Sequence, residues 1–322
     1  MSVHKFFYSF GPVPSRRLGQ SLGINNIPPK VCTFSCVYCQ VGRTTRMAID
    51  RRVFYDPENV VDDVRRRSEK ARRDGERIDY LTFVPDGEPT LDVNLGREIS
   101  LLRPLGIPIG VITNGSLVWR EDVREDLAKA DWISLKVDAV RESVWRGIDR
   151  PHKALKLEAI LQGMLEFSKC FKGKMVTETM LVEGHNDGAK CLEETAVFLR
   201  GLRPSVAYLS VPTRPPAEPG IQGPDEEALN RAFQIFSGKL PRVEYLIGYE
   251  GDAFASTGDV AEDILSITAV HPMRKEAVAA LLSRTGTTWE VVDRLLARGE
   301  LAAVSHKGSL FYLRRAKHEP AP

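Results

Sequence analysis

The sequence contains no apolar run near the roughly 18 residues that a bilayer-spanning helix requires, so no segment of it reads as a membrane span. Its first residues, MSVHKFFYSFGPVPSRR, lack the apolar stretch of a secretion signal. The expectation is therefore a cytoplasmic protein with no membrane partner. An excess of one charge is also missing: 45 Lys and Arg balance 43 Asp and Glu, for a net charge of +2. That excludes a global field pulling the chain towards nucleic acid or an anionic surface, and leaves room only for local patches. Cysteine is scarce, with five in all: Cys32, Cys36, Cys39, Cys170 and Cys191. An odd count without a signal argues against a disulfide framework.

What is present is a chain of 322 residues, 43% hydrophobic and 27% charged, long enough for one large domain or a large one plus a small one. Apolar β-branched runs alternate with stretches of helical spacing. Strands are expected at 21–27, 80–84, 107–113, 132–137, 174–182 and 205–211. Helices are expected at 59–74, 97–102, 121–129, 155–167 and 191–202, the first of them amphipathic and very basic. Strands separated by helices imply right-handed βαβ units and a parallel sheet. Chemistry then belongs at the C-terminal ends of the strands, where Gly87-Glu88, Asn114-Gly115, Asp138 and Glu183-Gly184 gather. Residues 212–224, rich in Pro and Gly, read as a long loop.

The last sixty or so residues differ. Helices are expected at 260–267 and 275–283, with Gly286 as a left-handed cap. Thr287-Thr288-Trp289-Glu290 matches a capping box opening a third helix, with Val292, Leu295 and Leu296 on one face. Strands at 301–304 and 309–313 flank His306-Lys307-Gly308 as a hairpin. This order is that of a winged helix-turn-helix, so the expected domains are 1–255 and 256–318. The expected third helix carries Arg294 and Arg298 but also Glu290, Asp293 and Glu300, a poor balance for phosphate. The hairpin and tail are basic, with Lys307, Arg314, Arg315 and Lys317. Packing against the rest of the chain or contact with a protein competes with nucleic-acid binding for this module.

Three cysteines crowd into Cys32-Thr33-Phe34-Ser35-Cys36-Val37-Tyr38-Cys39, a C-x3-C-x2-C spacing. Soft thiolates so close suit zinc or iron-sulfur. Zinc wants a fourth protein ligand, and no other Cys or His lies at a useful spacing, His4 being the closest histidine. Three ligands on a four-iron cluster leave one iron open to bind and activate something.

The segment resembles the fingerprint of the radical S-adenosylmethionine (SAM) superfamily, C-x3-C-x-φ-C with φ aromatic, where Tyr38 fills φ. The resemblance implies a partial (β/α)6 TIM-like barrel, an α/β fold. It implies that Cys32, Cys36 and Cys39 bind three irons of a 4Fe-4S cluster while the fourth chelates SAM. It further implies reductive cleavage of SAM to a 5′-deoxyadenosyl radical that abstracts hydrogen from a substrate, with a flavodoxin or ferredoxin type electron donor.

Asp86-Gly87-Glu88-Pro89-Thr90 resembles the superfamily's Gly-Gly-Glu motif, in which Glu88 would accept the ammonium of SAM; Asp86 departs from its first glycine. Asn114, Ser134, Lys136 and Asp138 fall where the family contacts the SAM ribose and carboxylate, and strand alternation puts the last three on one face. A buried ion pair is an equal reading for Lys136. Glu178 shares a strand face with Met180 and could meet the ribose. Gly11-Pro12-Val13-Pro14-Ser15-Arg16-Arg17-Leu18-Gly19, with Cys39-Gln40-Val41-Gly42, looks like the Fe-S oxidoreductase branch related to enzymes that form the wyosine base of transfer RNA. The resemblance spans roughly residues 8–255. Arg16, Arg17 and Arg43 read equally as groups binding an anionic substrate or the SAM carboxylate, or as solvated arginines or structural ion pairs. Cys170 and Cys191 read as buried, inert thiols. His152, His185 and His271 read as ordinary polar residues, with His152 a weak substrate-loop candidate. The substrate would be an RNA base, or a protein or peptide. The alternative is a non-enzymatic iron-sulfur or redox-sensing DNA-binding regulator.

Overall fold

The computed structural model describes residues 8–247, 254, 256 and 258–315. Lys317 and the expected domain junction at residue 255 lie outside the described residues. In chain order the first elements are β1 (Ser9–Ser15), β2 (Gly19–Ile24), β3 (Val31–Cys32), β4 (Arg46–Met47), α1 (Pro57–Arg73), β5 (Tyr80–Phe83), α2 (Leu95–Leu102) and β6 (Ile109–Thr113). There follow α3 (Glu121–Leu127), β7 (Trp132–Lys136), α4 (Glu142–Ile148), α5 (Leu157–Cys170), β8 (Lys174–Met180), α6 (Ala189–Leu202), β9 (Ala207–Ser210), α7 (Glu226–Ser237) and β10 (Val243–Leu246). The chain ends with α8 (Val260–Thr268), β11 (Met273–Arg274), α9 (Lys275–Thr285), α10 (Glu290–Ala297), β12 (Leu301–His306) and β13 (Ser309–Arg314).

One sheet runs β1-β2-β5-β6-β7-β8-β9-β10. From β2 to β10 every pairing is parallel; β1 alone lies antiparallel on β2. The sequence led to six parallel strands, and the structure has a seventh, β10. The β1 edge strand was also not expected. Its Pro12 and Pro14 speak against a strand interior, and an edge strand is where proline is tolerated. Helices α4 and α7 are likewise additions, while Asp225 caps α7 by accepting from the Ala228 amide at 2.8 Å.

Strand alternation sorts the two faces. Leu81, Phe83, Ile109, Val111, Ile133 and Leu135 join the helices in the main core. On the other face Trp132, Val176, Tyr208 and Leu246, with Tyr80 and Ile112, close on Leu18. Leu18 sits in the β1–β2 turn, so that turn plugs the concave face from the N-terminal ends of the strands.

The terminal elements form a second layer. Its sheet runs β11-β13-β12, and the β12–β13 turn places Lys307 (φ 47°) and Gly308 (φ 74°) in the left-handed region, as a tight hairpin requires. Gly286 (φ 64°) closes α9 as expected. The capping box does not form. Trp289, in helical conformation, precedes α10 with no side-chain cap. Thr287 is drawn back to α9 instead, its amide on the Leu282 carbonyl (2.9 Å) and its hydroxyl 3.2 Å from that of Thr285. This layer shares its core with β1: Phe10 and Val13 pack among Ile264, Val278 and Leu281.

Candidate active site

Cys32 ends β3, a short strand held between β4 and a bridge from Val31 to Gly87. The loop from 33 to 45 then carries Cys36 and Cys39. Its backbone is tied to the end of α4: the Ser35 and Val37 amides donate to the carbonyls of Asp149 (3.1 Å) and Ile148 (2.9 Å). Phe34 packs edge-on against Trp145 of α4, with centroids 5.8 Å apart. All three cysteines are free and half-buried, and burial pushes the Cys36 and Cys39 thiols up. They line one cavity of about 350 Å³ at the C-terminal ends of the parallel strands, together with Gly87, Glu88, Asn114, Lys136 and Glu178.

Gly87 (φ 157°) explains why a glycine follows β5. A Cβ there would fall 1.9 Å from the Val31 carbonyl oxygen, so only glycine lets the β5 loop touch the cysteine strand. Asp86, the departure from the Gly-Gly-Glu pattern, is buried and ion-paired to Lys30 Nζ at 3.1 Å. Burial raises its carboxyl to about 6 despite that partner. Lys30 begins the cysteine segment, so the pair ties the same two loops.

Glu88 is fully buried and accepts four hydrogen bonds. Oε1 accepts from the Thr90 amide (3.1 Å), the Thr90 hydroxyl (2.6 Å) and the Thr113 hydroxyl (2.6 Å), and Oε2 from the Asn114 amide (2.9 Å). The Asn114 side chain donates to Thr33 Oγ1 at 2.8 Å and points at Cys32 Sγ, 3.7 Å away. Glu88 therefore joins the loops after β5 and β6, and Asn114 links them to the cysteines.

The residues expected on β7 divide. Lys136 Nζ lies 3.0 Å from Glu178 Oε1 on the paired strand and 5.0 Å from the Tyr38 ring centroid. Burial opposes ionisation of Glu178, but Lys136 and Arg17 outweigh it and hold the carboxyl well below the usual range. Arg17 Nη1 donates to Glu178 Oε2 (2.6 Å) and to Ser134 Oγ (3.1 Å), so Ser134 carries the plug rather than the cavity wall. Asp138 is also displaced from the expected position. It sits behind Tyr38, whose hydroxyl it accepts, and takes the Met180 amide at 2.7 Å. Tyr38 Oη lies 3.2 Å from Asp149 Oδ1 as well. Burial, then the neighbouring Asp138, keeps the Asp149 carboxyl protonated well above the carboxylate range. Asp138 thus positions Tyr38 and does not face the cavity.

Elsewhere, Arg43 is turned outward onto Glu218 (2.7 Å), which also pairs with Arg150, whereas Arg16 and Arg17 line the cavity. Of the two thiols expected to be buried, Cys191 is buried in α6, whereas Cys170 is exposed at the end of α5. Three participants were missed or set aside in the sequence: Lys30, Arg214 and His271. His271 lines the cavity, with Arg214 Nη2 3.0 Å from its Nε2. Arg214 and His271 lie more than 170 residues from the cysteines, where no spacing could have signalled them, whereas Lys30 lies two residues before Cys32 and its partner Asp86 is set by the fold.

A parallel sheet flanked by helices, with three thiols in the cavity at its strand ends, defines an α/β protein whose candidate site is that cavity. Residues 26–199, more than half of the chain, match the model of the Radical SAM superfamily, and the chain belongs to that superfamily. It is similar to a UPF0026 protein of Methanocaldococcus jannaschii, 46% identical over 96% of each chain. A UPF0026 protein of Helicobacter pylori is 30% identical, over 85% of this chain and 87% of its own. Among solved structures, a radical SAM methyltransferase from Sphaerobacter thermophilus matches with a TM-score of 0.55 at 18% identity, over 70% of this chain and 66% of that one, a likeness of fold alone. Membership brings enzymatic activity and two cofactors, a 4Fe-4S cluster and SAM. The donor set fits: three soft thiols share one cavity wall, and His271 beside them is engaged by Arg214. Among the described residues no helix is long and apolar enough to cross a membrane.

Proposed function

We propose that this chain cleaves SAM reductively at a 4Fe-4S cluster held by Cys32, Cys36 and Cys39, and uses the product to abstract hydrogen from a substrate bound in the same cavity. The observation that carries the reading is the joining of the three thiols to the Gly87–Glu88 and Asn114 loops around one cavity. Bound there, the cofactors supply a one-electron cleavage of the sulfonium S–C5′ bond. The chain's own residues bind, orient and exclude water. Glu88 Oε2, which among the described residues accepts only the Asn114 amide, meets the SAM ammonium and supplies the buried negative charge. Asn114 directs an amide N–H towards Cys32, which tunes the potential of the site. Tyr38, fixed by Asp138, forms a wall under Lys136. Lys136 and Glu178, with Arg17 and Ser134 behind them, face the sugar and carboxylate side.

The scaffold is read as a partial barrel, spanning residues 1–255, joined to a winged helix at 256–318. The strand order β11-β13-β12 behind three helices supports that reading. The electron donor would be of flavodoxin or ferredoxin type. The substrate would be an RNA base, by likeness to the wyosine branch, or a protein or peptide. Against phosphate binding by the hairpin stands Lys307, which donates to the Pro212 carbonyl at 3.4 Å. A salt-sensitive RNA shift that needs residues 260–315 would restore the RNA reading.

Anaerobic reconstitution with iron and sulfide, followed by dithionite and SAM, should release 5′-deoxyadenosine. The Cys36→Ala variant should release none, and release at the wild-type rate from that variant would refute the assignment.

A further inference from the structure

The cavity is not made by the parallel sheet alone. Val270 and His271, from the turn between α8 and β11, line it as well. They are tied to the cysteine loop through two side chains. Gln40, the residue after Cys39, donates from Nε2 to the Val270 carbonyl at 3.1 Å. Arg214, in the loop after β9, donates from Nη1 to Gln40 Oε1 at 2.6 Å and sets Nη2 3.0 Å from His271 Nε2. Phe254 packs edge-on against the His271 ring, and Lys307 reaches the Pro212 carbonyl two residues before Arg214.

Each link has a chemical reason to be specific. Gln40 is the only member able both to donate to Val270 and to accept from Arg214, because a carboxamide carries both functions. Arg214 is a planar fork with two separated NH2 groups, so one side chain bridges two elements in fixed geometry; a lysine point charge reaches one of them. Since the guanidinium stays protonated, the ring nitrogen facing it must offer its lone pair.

We infer that Gln40, Arg214 and His271 are positioning residues that seat the C-terminal layer against the cysteine loop, so that this layer is part of the wall of the active cavity rather than an appended module. The inference rests on the proposed location of catalysis at the cysteine loop, yet its test separates the two. In the full-length protein, amide exchange is measured at 36–42 and 264–273, with β8 as an internal reference for folding. Gln40→Ala and Arg214→Lys should each speed exchange in both segments tenfold or more. His271→Ala should do the same, while His271→Asn, which restores an acceptor, should stay within threefold of wild type. Arg298→Ala, on the exposed face of α10, should change neither segment. In the cluster-loaded protein, Gln40→Ala should also alter the EPR line shape of the reduced cluster with SAM bound, and Arg298→Ala should not. Exchange within twofold of wild type in both segments, loosening of 264–273 alone, or an unchanged EPR line shape would each overturn the inference. The exchange measurement needs no cluster. Failure of the wild type to make 5′-deoxyadenosine would therefore sink the catalytic reading while leaving the latch measurable.

Discussion

On the concave face of the sheet, the N-terminal ends of the strands carry Tyr80, Trp132, Val176 and Tyr208, closed by Leu18. Further along the same strands the face carries Thr82, Lys136, Glu178 and Ser210, and opens into the cavity. The two ends share backbone, register and curvature and differ only in side chains. The floor is held by apolar burial, which is non-directional and tolerates shape changes poorly. The mouth keeps charges in a poorly hydrated place by pairing them: Arg17 and Lys136 on Glu178, Lys30 on Asp86. A stable floor lets the mouth be polar and shaped for chemistry.

That contrast can be broken first at the floor. Trp132→Ala should cost about 4 kcal/mol of stability in urea unfolding, while iron bound per folded molecule stays at the wild-type value. A loss of iron without a loss of stability would mean that the floor is part of the site. At the mouth, Gly87→Ala drives a Cβ into the Val31 carbonyl and should cost about 3 kcal/mol. Because β3 must move to relieve the clash, reconstituted iron content should fall in parallel.

Glu178→Gln leaves Arg17 and Lys136 without their shared carboxylate and should cost about 2 kcal/mol at neutral pH, with a far larger fractional loss of 5′-deoxyadenosine formation. Glu178 is held below the usual range in the folded protein. Its contribution is therefore present above the ordinary glutamate pKa and lost as the pH falls through the folded value. Thermal melts from pH 7 downward should show this acid loss in the wild type and much less of it in the variant. Asp86 has the opposite sign, being raised to about 6. Its contribution is full below the ordinary aspartate pKa and lost as pH rises through 6. Asp86→Asn should remove that slope between pH 4 and 6 and raise stability at pH 7 by roughly 1 kcal/mol. Equal slopes in variant and wild type would show that Lys30 neutralises Asp86 completely.

Much of the fold could be read from the chain because its signals are local. The helices at 57–73 and 189–202 and the strands at 80–83 and 132–136 lie within two residues or so of the expected bounds, since apolar periodicity and β-branched runs report burial directly. The β1 strand was hidden by its prolines, and β10 by its brevity and half-exposed Val243-Glu244-Tyr245. The site was legible in parts. The cysteine loop, Gly87, Glu88, Asn114, Lys136 and Glu178 do meet around one cavity. Alternation correctly put Ser134 and Lys136 on one face, yet it could not tell that Arg17 claims Ser134, or that Asp138, past the end of β7, turns to Tyr38.

The sequence alone determined the thiol triplet, the glycine and glutamate after β5 and the alternation of strands and helices, because ligand spacing and periodicity are properties of neighbouring residues. Only the tertiary structure decided which charges neutralise one another and which distant segment docks on the cysteine loop. Arg17 meets Glu178 and Gln40 meets Val270 by the curvature of the sheet and the docking of the last elements on β1. Contacts between groups so distant along the chain are set by register and packing, and these leave no periodic trace in the order of residues.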